Sequence, residues 1–132
     1  MVYSLFEVRV GCFIFNDEQK ILLLKNNQGT WGILGGHLEK GEQIEGTVFR
    51  EVKEETNIAV EIVGCIGTRQ LLHHPSFVVL FACKYKSGEI KLQKEEIKDY
   101  KWVELSELKN FDLTFPELSK EAEEAKKLVF LS

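Results

Sequence analysis

Proline occurs twice and cysteine three times in 132 residues, and no unbroken apolar run approaches the about 18 residues that a bilayer-spanning helix needs. Cys12, Cys65 and Cys83 stand singly inside apolar runs, without CxxC spacing, which excludes a disulfide framework and a thiolate zinc site and predicts buried, reduced thiols. A surplus of basic charge is missing too: 17 Lys and Arg face 21 Asp and Glu, a net charge of −4, with no basic stripe along the chain. A long nucleic acid is thereby excluded as the main ligand, while a small phosphorylated molecule stays open if cations screen it. The N-terminus carries no basic segment followed by an apolar one. The expectation is a soluble, cytoplasmic protein with no membrane partner.

What is present argues for a real core. Hydrophobic residues make up 44% of the chain, with nine Phe and two Trp, so the composition is that of a folded domain rather than a disordered segment. A chain of this length buries about two-thirds of its unfolded surface, and no repeat or linker divides it, so residues 1–132 are expected to form a single domain. The run "FEVRVGCFIF" (residues 6–15), the polar "NDEQK" and the apolar "ILLLK" predict a hairpin. "IAVEIVGCIG", "FVVLFACKYK" and "YKWVEL" predict further strands, with a turn at Ser87 to Glu89. Ser106 is placed to cap a short helix at "SELKN", and Pro116 to open a C-terminal helix whose apolar side is Leu118, Ala122, Ala125, Leu128 and Val129. Strands with one central and one terminal helix predict an α/β sandwich around a mixed sheet.

Between the hairpin and the central helix, residues 26–42 hold five glycines in 17 positions, too many for a helix, and read as a shaped loop. From Glu45 to Thr56 the apolar residues Val48, Phe49 and Val52 form one stripe, and Asn57 is suited to end the helix in the left-handed conformation. Glu51, Glu54 and Glu55 project from the other side, spaced i, i+3, i+4. Like charges at those spacings repel by roughly 0.2–0.5 kcal/mol per pair, a cost that a solvated surface tolerates and a bound cation relieves. Hard divalent cations take oxygen ligands shared among a few carboxylates, waters and substrate phosphates. Gly35 and Gly36 let the backbone approach a ligand closely, and Arg50 is in reach of Glu42.

The stretch "GHLEKGEQIEGTVFREVKEETNI", residues 36–58, resembles the signature box of Nudix hydrolases, Gly-x5-Glu-x7-Arg-Glu-U-x-Glu-Glu-x-Gly-U with U aliphatic. Gly36, Glu42, Arg50, Glu51, Val52, Glu54, Glu55 and Ile58 fall in register; Asn57 replaces the usual glycine, and Leu34 stands where the family often has proline. The resemblance implies a Nudix-type α/β/α sandwich. It implies Mg²⁺ or Mn²⁺ on Glu51 and Glu55, with Glu54 as a further ligand or the general base and the Gly35 carbonyl as another ligand. Arg50 would orient Glu51, with Glu42 behind it, and Glu96, preferred over Glu95, would add a later carboxylate. His37, Lys40 and Trp31 are candidates to meet substrate, Trp31 with core packing as its alternative; His73 and His74 either approach a phosphate or are ordinary loop histidines. The implied reaction is hydrolysis of a nucleoside diphosphate linked to X. Few residues precede the first strand, leaving no room for the N-terminal β-domain common in large ADP-ribose enzymes of the family, so a nucleoside triphosphate cleaved to monophosphate and pyrophosphate is expected. ADP-ribose or a nucleotide sugar, or a sensor that does not cleave, are the alternatives. A second copy of the chain is the one protein partner left open.

Overall fold

In the strand β1 (Glu7–Phe15) both faces are apolar, because each covers a different helix. Val10, Cys12 and Ile14 pack in one cluster with Val48 and Val52, while Phe13 and Phe15 pack in the other with Leu118, Ala122 and Ala125. The same two-residue alternation splits β2 (Ile21–Lys25), where Leu22 and Leu24 join the first cluster and Ile21 and Leu23 the second. Strands buried on both faces read as continuous apolar runs, which is why "GCFIF" and "ILLL" lack polar alternation. The computed structural model describes residues 2–131.

The remaining strands are β3 (Trp31–Gly32), β4 (Leu34–His37), β5 (Ala59–Leu71), β6 (Ser76–Ser87) and β7 (Asp99–Val103). They form a mixed sheet in the order β3-β2-β1-β6-β5, with β4 added to β1 and β7 to β2. β1 runs parallel to β6 and antiparallel to β2 and β4. Helix α1 (Ile44–Thr56) covers one face and α2 (Leu118–Phe130) the other, the expected α/β/α sandwich. No helix among the described residues is long and apolar enough to cross a membrane.

Several local expectations are corrected. The hairpin closes only at Phe15 and Ile21; from Arg9 to Cys12 the neighbour of β1 is β4. The glycine-rich segment is therefore partly strand, since the β1 edge supplies the ladder that its composition does not favour. Phe49 is 47% exposed and outside the core, while Val48 and Val52 are fully buried, so the apolar stripe is narrower than its residue types suggest. Cys65 is exposed; Cys12 and Cys83 are buried, and all three are free. Residues Leu105–Asn110 form a 3-10 helix flanked by Glu104, without a side-chain cap from Ser106, and Pro116 lies outside α2, just before Glu117 at its start. Asn57 ends α1 at φ 68°, donating its N–H to the Lys53 carbonyl, as expected.

Candidate active site

Helix α1 presents two faces at once. Its apolar side is clamped to the sheet, and it packs against the β4 segment Leu34–His37, so that the Glu51 carboxylate is carried inward against Gly36 with Glu55 one turn on. Both carboxylates are buried, Glu51 5% and Glu55 7% exposed. At Gly35 a Cβ would collide with the Val10 carbonyl, so only glycine fits there, and at Gly36 it would push the Glu51 carboxylate out of its place. The close approach is built into the pair.

Arg50 holds the arrangement. Its Nε and Nη2 donate to the two oxygens of Glu42 at 2.7 and 3.0 Å, Nη1 donates to Glu51 Oε1 at 2.8 Å, and Nη2 donates to the His37 carbonyl at 2.8 Å. Glu42 also accepts from Thr47 Oγ1 and the Glu39 N–H. With Arg50 first and Thr47 next among its partners, the Glu42 carboxyl is held down at about 2, and the same pairing raises the Arg50 guanidinium further. Glu54 lies outward, its side chain 46% exposed and 3.3 Å from Arg50 Nη1.

Burial pushes the Glu55 carboxyl up to about 9, reinforced by its hydrogen bond with Glu51. At Glu51 burial acts in the same direction, but the hydrogen bonds with Glu55, Lys94 and Arg50 outweigh it and bring the group below its ordinary value. Lys94 Nζ sits 3.2 Å from Glu51 Oε2. Glu55 Oε2 is buried without a hydrogen-bond partner among the described residues. An unpaired buried carboxylate oxygen is unfavourable, and together with hard oxygen donors and a tight glycine cradle it fits a divalent cation.

Glu51, Glu55 and Lys94 line a cavity of about 390 Å³, whereas Arg50 and Glu42 are not among its lining residues. Gly35, Gly36, His37, Glu51, Glu55 and Glu96 are brought to it; Glu54, Glu95, Lys40 and Trp31 are not among its lining residues. Trp31 is a core residue, 9% exposed, edge-on to Phe111, with its backbone bridged to residues 112–114. Lys40 is exposed in the turn before α1. His73 is exposed, and His74 pairs with Glu7 rather than the cavity.

Sequence reasoning missed Lys94, Arg9, Arg69 and Phe115, all of which line the cavity. Arg9 is in register with Val78, and Val78 with Arg69, so the two arginines stand in one row across β1, β6 and β5. The Nε atoms of both are buried and unpartnered among the described residues. Arg69 lies over the Phe115 ring at 4.4 Å and is paired with Glu121. The signal was present as single arginines inside apolar strands, "EVRVG" and "GTRQL".

A mixed sheet between two helices, with a glycine cradle and buried carboxylates opening on one cavity, defines the class of α/β sandwich to which the comparisons also point. The family model described as NUDIX domain matches residues 5–127, and the chain belongs to the Nudix family. The NAD-capped RNA hydrolase NudC of Mannheimia succiniciproducens is 38% identical over 101 residues, covering 76% of this chain and 36% of that protein. The chain thus spans little more than a third of the length of the curated relatives it matches. Among solved structures, a Nudix-family hydrolase from Clostridium perfringens superposes with TM-score 0.82 at 23% identity, covering 96% of this chain and 99% of that one. The NUDIX domain of Shewanella oneidensis NrtR, in complex with ADP ribose, gives TM-score 0.76 at 21% identity over 96% and 90% of the two chains. Relatives of the chain are hydrolases by name, and the family generally uses a divalent metal.

Proposed function

We propose that the chain hydrolyses the diphosphate of a nucleoside diphosphate linked to a second group, with Mg²⁺ or Mn²⁺ held by Glu51, Glu55 and the Gly35 carbonyl. The observation that carries this is the pair of buried carboxylates lining the cavity, one of them with an oxygen that lacks a protein partner. The cation supplies neutralisation of phosphate charge and activation of a water. Arg50 fixes Glu51 in the orientation that Gly36 admits, and Glu42 fixes Arg50. Glu54, exposed and paired with Arg50 outside the cavity lining, is assigned as the base that would accept a proton from the attacking water. Glu96 adds negative charge near Glu55, where a further cation or a ribose hydroxyl can meet it.

Arg9 and Arg69 are assigned to phosphate oxygens that face away from the cation. Their Nε donors, buried and unpaired, need an acceptor, and a guanidinium suits phosphate. For the linked group, the NudC relative supports a dinucleotide-type diphosphate over the nucleoside triphosphate expected from the sequence. Release of nucleoside monophosphate from NAD, ADP-ribose, nucleotide sugars and nucleoside triphosphates, each with Mg²⁺ or Mn²⁺, tests both points. Faster turnover of dinucleotide-type diphosphates is expected, with loss of activity in chelator. Preference for triphosphates overturns the substrate assignment, and turnover undiminished by chelator overturns the mechanism.

A further inference from the structure

Glu7, His37 and His74 come from β1, β4 and the turn between β5 and β6, yet their ligating atoms lie within 4.8 Å of one another. Glu7 Oε2 is 3.0 Å from His37 Nε2 and 3.3 Å from His74 Nε2. Those two separations, which also suit hydrogen bonds, fall a little short of the edge of a tetrahedron of donors around Zn²⁺, about 3.4 Å for bonds of about 2.0–2.2 Å, so small side-chain shifts bring the donors to it. Two imidazole nitrogens with one carboxylate oxygen suit zinc and its neighbours in the transition series, whereas Mg²⁺ prefers oxygen alone.

The backbone holds these segments together independently of the side chains. The Glu7 N–H donates to the Pro75 carbonyl at 2.9 Å, next to His74, and the Leu38 N–H donates to the Val8 carbonyl at 2.9 Å, next to His37. The His37 carbonyl in turn accepts from Arg50 Nη2. Each ligand is thus anchored within one residue of a hydrogen bond that joins two of the three segments, and all three side chains are open to solvent for entry of an ion.

We propose that Glu7, His37 and His74 form a binding site for a tetrahedral transition-metal ion of the zinc type, separate from the carboxylate site on α1. Three protein ligands leave a fourth position for water or an anionic group, and His37 places the ion at the edge of the cavity. An ion there ties β1, β4 and the β5–β6 turn together and adds positive charge where an anionic substrate enters.

The inference does not rest on the hydrolase reading, and its test is independent of turnover. The full chain is titrated with Co²⁺ in excess Mg²⁺ while the visible absorption of tetrahedral Co²⁺ is recorded, in parallel with the shift of the thermal unfolding midpoint. The expected result is one Co²⁺ per chain, displaced by Zn²⁺, with affinity weakened at least about tenfold in H74A and E7Q and unchanged in E55Q. H74A alters an exposed turn residue, and its unfolding midpoint without metal is expected to equal that of the parent. Absence of a tetrahedral band, a band retained in H74A, or a band lost in E55Q instead would overturn the proposal.

Discussion

Arg50 is the residue on which the site's geometry turns, because one guanidinium joins the His37 carbonyl at the end of β4 to Glu42 and Glu51. Glu42 is its bidentate partner, and its carboxyl is expected to titrate near 2 when followed by carbon NMR; a midpoint near the ordinary 4.5 would show the pairing to be absent in solution. Because the folded value is depressed, the pairing contributes stability above pH 4.5 that is lost as pH falls toward 2. E42Q should flatten that acid limb, and it should lower turnover by about 10- to 100-fold by loosening the support of Glu51. Trp31 provides the opposite case. Its ring is packed against Phe111 with Lys25 and Lys101 over it, so W31A should cost about 3–5 kcal/mol in chemical denaturation. A stable W31A protein with weakened substrate binding would return Trp31 to the site.

At the scale of elements, α1 is fixed at its C-terminal end and along one side. Val48 and Val52 are each fully buried, worth about 1.5–3 kcal/mol apiece, and Asn57 closes the helix in the left-handed region with its side-chain amide donating to the Glu89 carbonyl. N57A should therefore destabilise by about 1–2 kcal/mol, measured by urea unfolding, since alanine gains no local hydrogen bond for the left-handed conformation. An N57A protein as stable as the parent would contradict the strain argument. The helix was legible in the sequence because its cap, stripe and acids are all local. The strand β4 was not, because "LGGH" has no β-branched residue and becomes strand only through its ladder with Arg9 to Cys12. Leu34 shows the same dependence: it is fully buried among Val48, Val52 and their neighbours, a packing role invisible in a glycine-rich segment.

For the whole molecule, the sandwich brings together what the sequence holds apart. The carboxylates of the box sit on one helix and could be read in register, whereas Arg9 and Arg69 reach the cavity through strand pairing and Lys94 and Phe115 from separate loops, the one on Glu51 and the other under Arg69. The cavity lining is thus bipolar, with Glu51 and Glu55 on α1 and Arg9 and Arg69 on β1 and β5, Lys94 being paired with Glu51, within a protein whose overall charge is −4. The bipolar wall is what a cation-bound diphosphate requires, and the acidic half is the central claim. It is tested most directly by titrating Mn²⁺ into the parent protein and into E55Q, with free ion measured by electron paramagnetic resonance and folding by circular dichroism. Mn²⁺ is expected to bind the parent and to lose about 100-fold or more in affinity in a folded E55Q; equal Mn²⁺ affinity in the two proteins would contradict a cation site on Glu55.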